Sequence, residues 1–336
     1  MWGFNGTVVP AWLAEFETRF GLGGVILFDY DVQKKKYENN IISPTQVASL
    51  CRELSALSSR PLIMVDQEGG KVRRLKEKLG FAPLPSAQSF NLLPRAEKKA
   101  QLEKSFSQMR DLGFHFDLTP VVDLNTNPKN PDIGAVERSF SADEGEVRAN
   151  VALINEVASA VGLGLCLKHF PGLGGATTNS HLELTDISAS LSQTQIDLFF
   201  ELLPKISGGA MLLSHGIVKQ WEPKLPVSLS AKVVSEIRGK VRDALLMTDD
   251  LQMQGLQVLF HTEAAVIKAV AAGVDMVIIG NNLLNEEAEK AFAIAEALQR
   301  AMEKDENIRE NVRKSVGRVG KRKAEFGVGG GKSGTN

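Results

Sequence analysis

The stretch GLCLKHFPGLGGATTNSH, residues 164–181, decides the fold of this chain. Its first four residues form an apolar run that is too short for a helix and is typical of a buried parallel strand. The run then breaks into glycine, proline and small polar residues, which indicates a loop. Lys168, His169 and His181 therefore lie at the end of a predicted strand and in the loop that leaves it. In strand-and-helix proteins, chemistry is usually found at that end.

Similar short apolar runs recur along the chain, and segments with apolar residues at helical spacing separate them, among them Glu144–Val161 and Thr262–Ala272. This alternation predicts parallel strands with crossover helices, and eight such units in this length predict a (β/α)8 barrel of the TIM type. A doubly wound open sheet is the alternative, but no Gly-x-Gly-x-x-Gly turn follows the first strand. The predicted strands are Met1–Phe4, Gly24–Phe28, Leu62–Val65, Phe114–Val122, Leu165–His169, Ala210–Leu213, Ala244–Met247 and Met276–Ile279.

The domain organisation follows from the same pattern. We predict a single barrel domain over residues 1–326 and a disordered Gly/Ser-rich tail over residues 327–336. The charged, partly amphipathic segment Gln299–Lys323 is predicted as a C-terminal helix. Because the Met1–Phe4 run begins at the first residue, an incomplete first strand is kept as an alternative.

Composition limits the classes of partner. The chain has 336 residues, 43% of them hydrophobic, and 39 Lys and Arg nearly balance 40 Asp and Glu, for a net charge of −1. This charge gives no reason to expect nucleic acid or an anionic membrane as a partner. No run approaches the ~18 apolar residues of a membrane span, and no signal peptide is recognised. Cys51 and Cys166 lie in no metal or redox spacing and are predicted to be buried thiols.

Polar residues follow the third predicted strand. Asp66 leaves this strand and can accept two hydrogen bonds from the hydroxyl groups of a sugar. The paired glycines Gly69 and Gly70 are expected to let the backbone approach a ligand closely. Glu68 and Arg73 are interpreted as an ordinary ion pair within the loop.

Polar residues also follow the fourth and sixth strands. Asp123 ends the fourth strand, and a loop leads from it to Arg138. An arginine in such a loop can bind a carboxylate or amide oxygen through two N–H groups. The alternative is that Arg138 ties its loop to Asp123. His215, after strand six, is more typical of a structural hydrogen-bond donor than of a catalyst.

The seventh strand runs into the acidic pair Asp249 and Asp250. A carboxylate at the mouth of a barrel can act as a nucleophile toward a sugar carbon, as an electrostatic stabiliser or as a metal ligand. No compact set of further carboxylates or histidines has a recognisable metal spacing, so we predict no metal. Carbohydrate chemistry is the better-supported interpretation.

Taken together, these segments resemble family 3 glycoside hydrolases, and most closely the single-domain β-N-acetylglucosaminidases of bacterial peptidoglycan recycling. The resemblance spans residues 1–298 and keeps the order of the family's motifs. The segments that carry it are Gly24–Phe28, Val65–Gly70 with Arg74, Pro120–Asp123, Glu137–Phe140, Lys168–Gly172, Ser180–His181, Pro226–Ser230, Thr248–Leu251 and Ala271–Asp275.

The resemblance implies a role for each matching residue. Asp249 matches the nucleophile that forms a covalent glycosyl-enzyme, His181 matches an acid/base on a mobile loop, and Asp250 is implied to be a structural neighbour. A retaining mechanism needs such a carboxylate and such a proton donor on opposite sides of the sugar, and a histidine can both donate and accept the proton near neutral pH. The residues implied to bind the terminal N-acetylglucosamine are Asp66, Arg74, Arg138, Lys168 and His169.

The loop departs from the family pattern at two positions. Leu173 stands where the family usually has histidine, and Asn179 stands where it has the aspartate that partners the catalytic histidine. An amide can orient an imidazole ring but adds no charge to stabilise its protonated form. Glu183 or Asp186 is the alternative partner.

The resemblance therefore implies a retaining exo-β-N-acetylglucosaminidase that acts on a small carbohydrate and needs no cofactor. It further implies a monomer in the bacterial cytoplasm. Two alternatives stay open. One is another β-glycosidase or a phosphorylase of the same family, because a histidine donor does not repel phosphate as a carboxylate would. The other is a catalytically impaired sugar-binding barrel, which the altered Asn179 position motivates.

Overall fold

The computed structural model describes residues 1–32, 34–180, 182–282 and 288–328. It has an α/β fold whose main sheet is parallel, curled and seven-stranded, in the order β1-β2-β5-β6-β7-β8-β9. β3 and β4 form a separate antiparallel pair. The strands are Gly24–Leu27 (β1), Leu62–Val65 (β2), Gln67–Gly69 (β3), Val72–Arg73 (β4), Phe116–Asp117 (β5), Gly164–Phe170 (β6), Ala210–Leu213 (β7), Leu245–Asp250 (β8) and Met276–Ile278 (β9).

Helices connect successive strands of the main sheet. The predicted helical segments Glu144–Val161 and Thr262–Ala272 agree with the structure to the residue. The α-helices are Ala11–Phe20 (α1), Pro44–Ser55 (α2), Ala87–Asn91 (α3), Arg95–Leu112 (α4), Glu144–Val161 (α5), Gln193–Leu202 (α6), Ala231–Lys240 (α7), Gln254–Gln257 (α8), Thr262–Ala272 (α9), Ala288–Lys304 (α10) and Glu306–Glu325 (α11).

The helical end of the chain differs from the prediction. The single helix predicted over Gln299–Lys323 is wrong, because Asp305 separates α10 from α11 and caps α11 by accepting the Asn307 N–H at 2.8 Å. Val328 is buried, and its N–H donates to the Lys323 oxygen at 2.7 Å; the disordered tail over residues 327–336 stays a prediction. Residues 329–336 lie outside the described residues.

Both faces of the sheet are buried, as the apolar strands require. Alternate residues point to opposite faces of a strand, so Ile26 and Met64 join an inner apolar cluster while Val25 and Ile63 join the outer one beneath the helices. Cys51 and Cys166 are both buried thiols, as predicted, and burial raises the pKa of Cys51 to about 12. Among the described residues, no helix is both long and apolar enough to cross a membrane.

The N-terminal segment lies between the first and last strands of the sheet. Trp2 makes isolated parallel bridges to both Val25 and Ile279, and the Gly3 N–H donates to the Ile279 oxygen at 2.8 Å. Met1–Phe4 therefore joins the main sheet through single bridges and does not form a strand. The α/β class and the parallel sheet are confirmed, whereas a complete eight-stranded barrel stays a prediction.

The contact at Gly3 gives a test of this arrangement. A Cβ atom at Gly3 would collide with the backbone oxygen of Gly280, whereas a Cβ at Gly239 in α7 would meet nothing within 4 Å. We expect Gly3→Ala to lower the free energy of unfolding by about 1–3 kcal/mol. Gly239→Ala should leave it unchanged or raise it by up to about 1 kcal/mol. Urea unfolding of both variants measures the difference, and equal midpoints would contradict the close packing of the N-terminal segment.

Candidate active site

A pocket of about 140 Å³ opens at the carboxyl ends of the strands. This volume is below the ~300–1,000 Å³ of pockets for drug-sized ligands, so it suits one small ring. The floor is apolar and is formed by Ile26, Phe28, Leu118, Leu212 and Ile278. The walls are charged and include Asp66, Glu68, Arg74, Arg138, Lys168 and Asp249.

Lys168 is the most buried cation of the pocket. Its Nζ donates to Asp66 Oδ1 at 2.8 Å and to Glu68 Oε1 at 2.7 Å. Burial alone would lower the pKa of Lys168, but the two carboxylates outweigh it and hold the pKa above its ordinary value. The remaining oxygen of Asp66 accepts from Arg74 Nη2 at 3.4 Å, and Arg74 lies over the Phe28 ring. The predicted binding residues Asp66, Arg74 and Lys168 therefore meet at one wall.

Glu68 links Lys168 to Arg138. Arg138 donates from Nε and Nη2 to the two oxygens of Glu68, each at 2.8 Å, and from Nη1 to the Asp132 oxygen at 3.0 Å. Although burial opposes ionisation, the charges of Arg138 and Lys168 hold the pKa of Glu68 well below its ordinary value. The expected loop ion pair between Glu68 and Arg73 is wrong, because Arg73 pairs with Glu77 instead.

His169 lines the pocket, and both of its ring nitrogens contact protein groups. Nε2 lies 2.9 Å from Arg138 Nη2, and Nδ1 lies 2.7 Å from Asp123 Oδ2. Arginine can only donate, so we assign Nε2 as the acceptor and Nδ1–H as the donor to Asp123. Asp123 also accepts the Leu173 N–H at 2.7 Å. In this arrangement His169 orients Arg138, and Asp123 fixes both the ring and the following loop.

The acidic pair ends β8, and its two members have different surroundings. Asp249 lines the pocket, and its Oδ1 accepts the Asp250 N–H at 2.9 Å. Asp250 Oδ1 accepts the N–H groups of Gln252 at 3.0 Å and Gly280 at 3.2 Å, and burial raises the pKa of Asp250 to about 7. Asp250 is thus occupied with backbone contacts, in line with a structural neighbour.

His215 supports the same strand end. Its Nε2 lies 3.0 Å from the backbone oxygen of Asp250, so Nε2–H donates to that oxygen, and Nδ1 accepts from the Ser228 hydroxyl at 2.7 Å. These contacts place His215 behind the acidic pair. They agree with the predicted supporting role.

The loop that leaves β6 is held by the loop that follows β5. Asn130 Nδ2 donates to the Leu173 oxygen at 2.6 Å, and Asp132 Oδ2 accepts the Ser180 N–H at 2.6 Å. Leu173 and Ser180 both reach the pocket. His181 lies outside the described residues, so its predicted position is not tested here.

Asn179, one of the two departures in the loop, and Asp186 both have defined contacts. Asn179 accepts the backbone N–H groups of Leu182 and Glu183 at its own backbone oxygen, each at 3.0 Å. Asp186, one of the alternative partners for the histidine, pairs with Lys219 at 2.6 Å instead, and hydrogen bonds from Lys219 and Ser188 lower the pKa of Asp186 to about 2.

Gly69 and Gly70 pack closely against residues 85–86. Both have positive φ angles, of 94° and 56°. A Cβ at Gly69 would collide with the Pro85 oxygen, and one at Gly70 would lie 2.6 Å from the Ser86 Cβ. The fold itself therefore requires glycine at both positions, and the approach of their backbone to a ligand stays a prediction.

Comparison with known proteins identifies the family. Residues 9–321 match the model described as the glycosyl hydrolase family 3 N terminal domain. The chain belongs to glycosyl hydrolase family 3. It is therefore a glycoside hydrolase, and the resemblance found in its motifs is confirmed.

Several proteins similar to this family 3 chain are named as β-hexosaminidases. A β-hexosaminidase from Pseudomonas aeruginosa is 30% identical over 287 residues, which cover 83% of this chain and 80% of that protein. A β-hexosaminidase from Xanthomonas campestris pv. campestris is 29% identical over 306 residues, which cover 87% of each chain.

Solved structures give the same family. A family 3 β-N-acetylglucosaminidase from Paenibacillus sp. str. FPU-7 superposes with a TM-score of 0.85 at 28% identity. The match covers 100% of this chain but 62% of that one, so this family 3 chain spans about three fifths of the Paenibacillus chain. A β-N-acetylhexosaminidase from Beutenbergia cavernae, at 22% identity with a TM-score of 0.83, shares the fold over 97% of this chain.

Sequence reasoning gave no pocket role to three polar residues that line the pocket of this family 3 domain, namely Glu68, Ser180 and Asn282. Glu68 had a usable signal: in an extended segment, residues two apart face the same side, so Glu68 follows Asp66 into the pocket. Asn282 carried no comparable signal, because it is the second of two adjacent asparagines that follow β9. Among the described residues, no group of three or more His, Cys, Asp or Glu side chains is arranged to hold a metal ion.

The position of Glu68 predicts a large cost for neutralising it. Glu68→Gln leaves two buried cations without their shared carboxylate, and we expect the free energy of unfolding to fall by about 3 kcal/mol at pH 7. Glu77→Gln removes a half-exposed carboxylate from the same segment and should cost less than about 0.5 kcal/mol.

The pKa of Glu68 is lower in the folded state than in the unfolded state. Ionised Glu68 therefore stabilises the fold fully above its unfolded-state pKa, and this stabilisation is lost as the pH falls toward its folded-state pKa. The difference between Glu68→Gln and the wild type should therefore narrow below about pH 4. Chemical unfolding at pH 7 and pH 4 measures both effects. A Glu68→Gln variant as stable as Glu77→Gln at pH 7 would contradict the shared-carboxylate arrangement.

Proposed function

We propose that this family 3 chain is a retaining exo-β-N-acetylglucosaminidase that removes a terminal N-acetylglucosamine. The observation that carries the proposal is that Asp249 lines a pocket of single-ring size together with Asp66, Arg138 and Lys168. Relatives named β-hexosaminidase support the same activity. The Paenibacillus neighbour, named as a β-N-acetylglucosaminidase, supports the choice of sugar.

Asp249 suits the role of nucleophile. Asp249 lines the pocket and is partly exposed. Burial lowers the pKa of Arg138, but Glu68, then Asp123 and Asp249, outweigh it and hold that pKa above its ordinary value. In the proposed first step an Asp249 oxygen bonds to the anomeric carbon while the glycosidic bond breaks. In the second step water cleaves the glycosyl-enzyme and the carboxylate is regenerated.

The charged wall suits recognition of the sugar hydroxyl groups. Asp66 and Lys168 present an acceptor and a donor that are held rigid by their mutual ion pair. Arg138 is held in one orientation by Glu68 and His169. Groups whose positions are fixed before the ligand arrives lose little entropy on binding it. We assign His169 to the orientation of Arg138, with Asp123 as its support.

His181 completes the proposed mechanism as the acid/base. It follows Ser180, a pocket residue whose N–H is held by Asp132. His181 would protonate the leaving oxygen in the first step and remove a proton from water in the second. Asn179 would orient the ring without adding charge.

Four finer statements belong to the same proposal. We infer that Met1–Phe4 occupies the eighth strand position of the barrel, because Trp2 bridges both edges of the sheet. A peptidoglycan-derived substrate, a bacterial cytoplasmic location and a monomeric state are proposed from the motif resemblance.

The nucleophile is tested by removing its charge. Asp249→Asn should lower kcat/KM for an aryl N-acetyl-β-glucosaminide by roughly 10³-fold or more, because the neutral amide cannot form the glycosyl-enzyme. Asp243→Asn, an exposed aspartate before the start of β8, is the matched control and should retain activity. A fully active Asp249→Asn variant would refute the assignment.

The same assay separates the alternatives. A sugar 1-phosphate that forms only when phosphate is added would identify a phosphorylase. Thermal stabilisation by N-acetylglucosamine without turnover of any aryl glycoside would identify a sugar-binding barrel.

The acid/base is tested through the leaving group. His181→Ala should reduce kcat/KM for a 4-methylumbelliferyl glycoside by about 10²-fold, since general acid catalysis contributes about 10²–10⁴-fold. With a dinitrophenyl glycoside, whose leaving group needs no proton, the loss should be less than about tenfold. His261→Ala, at an exposed histidine before α9, serves as control. Equal losses for the two substrates would argue against His181 as the proton donor.

A further inference from the structure

Asp117 is a completely buried carboxyl group that no step of the proposed mechanism uses. It is the second residue of β5 and is 0% exposed. Its neighbours Phe116 and Leu118 belong to the inner apolar cluster. Since side chains alternate along a strand, the Asp117 side chain points away from the barrel interior, toward the helical layer.

The Asp117 carboxyl binds the backbone next to the pocket. Its Oδ1 accepts the Gln67 N–H at 2.9 Å. The pairing of β2 with β5 stops at Val65 and Asp117, and Pro120 has no N–H with which to extend it. The side chain of Asp117 thus provides the acceptor at the point where the chain leaves the sheet.

Gln67 is the residue that fixes this corner of the pocket. It lies between Asp66 and Glu68, which bind Lys168. Its side chain makes two hydrogen bonds with the backbone of Leu75, at 3.0 and 3.1 Å, and Leu75 follows Arg74. The hydrogen bond to the Gln67 N–H therefore fixes the segment that carries Asp66, Glu68 and Arg74.

We propose that Asp117 is a positioning residue that, by accepting the Gln67 N–H, holds Asp66 and Glu68 in the geometry that binds the sugar. The proposal deepens the proposed function and rests on it for the identity of the ligand. Loss of the acceptor would leave the Gln67 N–H buried without a partner, and the segment would have to move to satisfy it.

The protonation state of Asp117 makes this role dependent on pH. Its Oδ2 has no hydrogen-bond partner among the described residues. Burial, opposed by the Gln67 N–H, raises the pKa of Asp117 to about 8; of the charged groups facing it, Lys168 lowers the pKa while Asp66 and Glu68 raise it. We therefore expect Asp117 to be mostly protonated at pH 7. Ionisation above pH 8 would place a third negative charge beside Asp66 and Glu68.

The kinetic test compares two substitutions of Asp117. Asp117→Asn keeps an oxygen acceptor and cannot ionise, so its KM for an aryl N-acetyl-β-glucosaminide should stay near the wild-type value at pH 7. Asp117→Ala removes the acceptor and should raise KM about tenfold, with kcat changed less than about twofold. Asp111→Asn, at an exposed position on α4, is the control and should behave as wild type.

The pH profile distinguishes positioning from a general loss of stability. If the protein with ionised Asp117 does not bind the aryl glycoside, a pKa of about 8 for Asp117 raises the wild-type KM about tenfold between pH 7 and pH 9. Asp117→Asn should lack this rise, whereas Asp111→Asn should keep it. A rise in Asp117→Asn equal to that of the wild type would overturn the proposal, as would an Asp117→Ala variant with unchanged KM.

Two measurements are independent of catalysis. The Gln67 amide should exchange with solvent faster in Asp117→Ala than in the wild type, and at the wild-type rate in Asp117→Asn. Because the folded-state pKa is raised, the wild type loses stability as the pH rises from about 4 to 8, and Asp117→Asn should lose less.

These outcomes distinguish a failure of the proposed function from a failure of the inference about Asp117. A wild type that does not turn over the glycoside refutes the proposed function, while the exchange rates still decide the role of Asp117. If Asp117→Ala does not fold, the Asp117→Asn profile and exchange rate decide instead. Unchanged Gln67 exchange in a folded Asp117→Ala variant overturns the inference.

Discussion

The buried charge of Lys168 is the constraint on which the pocket depends. An ammonium group removed from water is tolerated only if carboxylates replace its solvation, and Asp66 and Glu68 do so at 2.8 and 2.7 Å. Glu68 also binds Arg138 through both oxygens. One carboxylate thus joins β6, the hairpin after β2 and the loop before α5. The charged donors and acceptors of the pocket are therefore held in place, because each buried charge must stay paired with an opposite charge.

Local patterns predicted the fold well, because strand and helix periods depend on neighbouring residues. The bounds of α5 and α9, the strand order and the buried thiols all followed from apolar spacing. Errors arose where a single polar contact overrides the pattern, as at Asp305, which ends one helix and caps the next. The N-terminal run had strand composition, but it pairs with β1 and with the residue after β9 only through the isolated bridges of Trp2.

The candidate site was predicted as a set of residue types but not as a set of contacts. Asp66, Arg74, Arg138, Lys168, His169 and Asp249 all line the pocket. The partner of Glu68 could not be read from its surroundings, because Arg138 lies 70 residues away in the sequence. The contacts of His169 could not be predicted for the same reason: its ring lies between Asp123 and Arg138, and that position depends on three separate segments.

Asp132 connects the binding wall to the loop of the proposed acid/base. Its backbone oxygen accepts from Arg138 Nη1, and its carboxylate accepts the Ser180 N–H. A movement of Arg138 on binding a sugar would therefore act on the backbone beside Ser180 through a single residue. Neither hydrogen bond depends on Asn179, whose amide replaces the family's carboxylate. In this chain Asp132, Asn130 and Asp123 all bind the backbone of the loop, and the amide of Asn179 lacks the charge of the family's carboxylate.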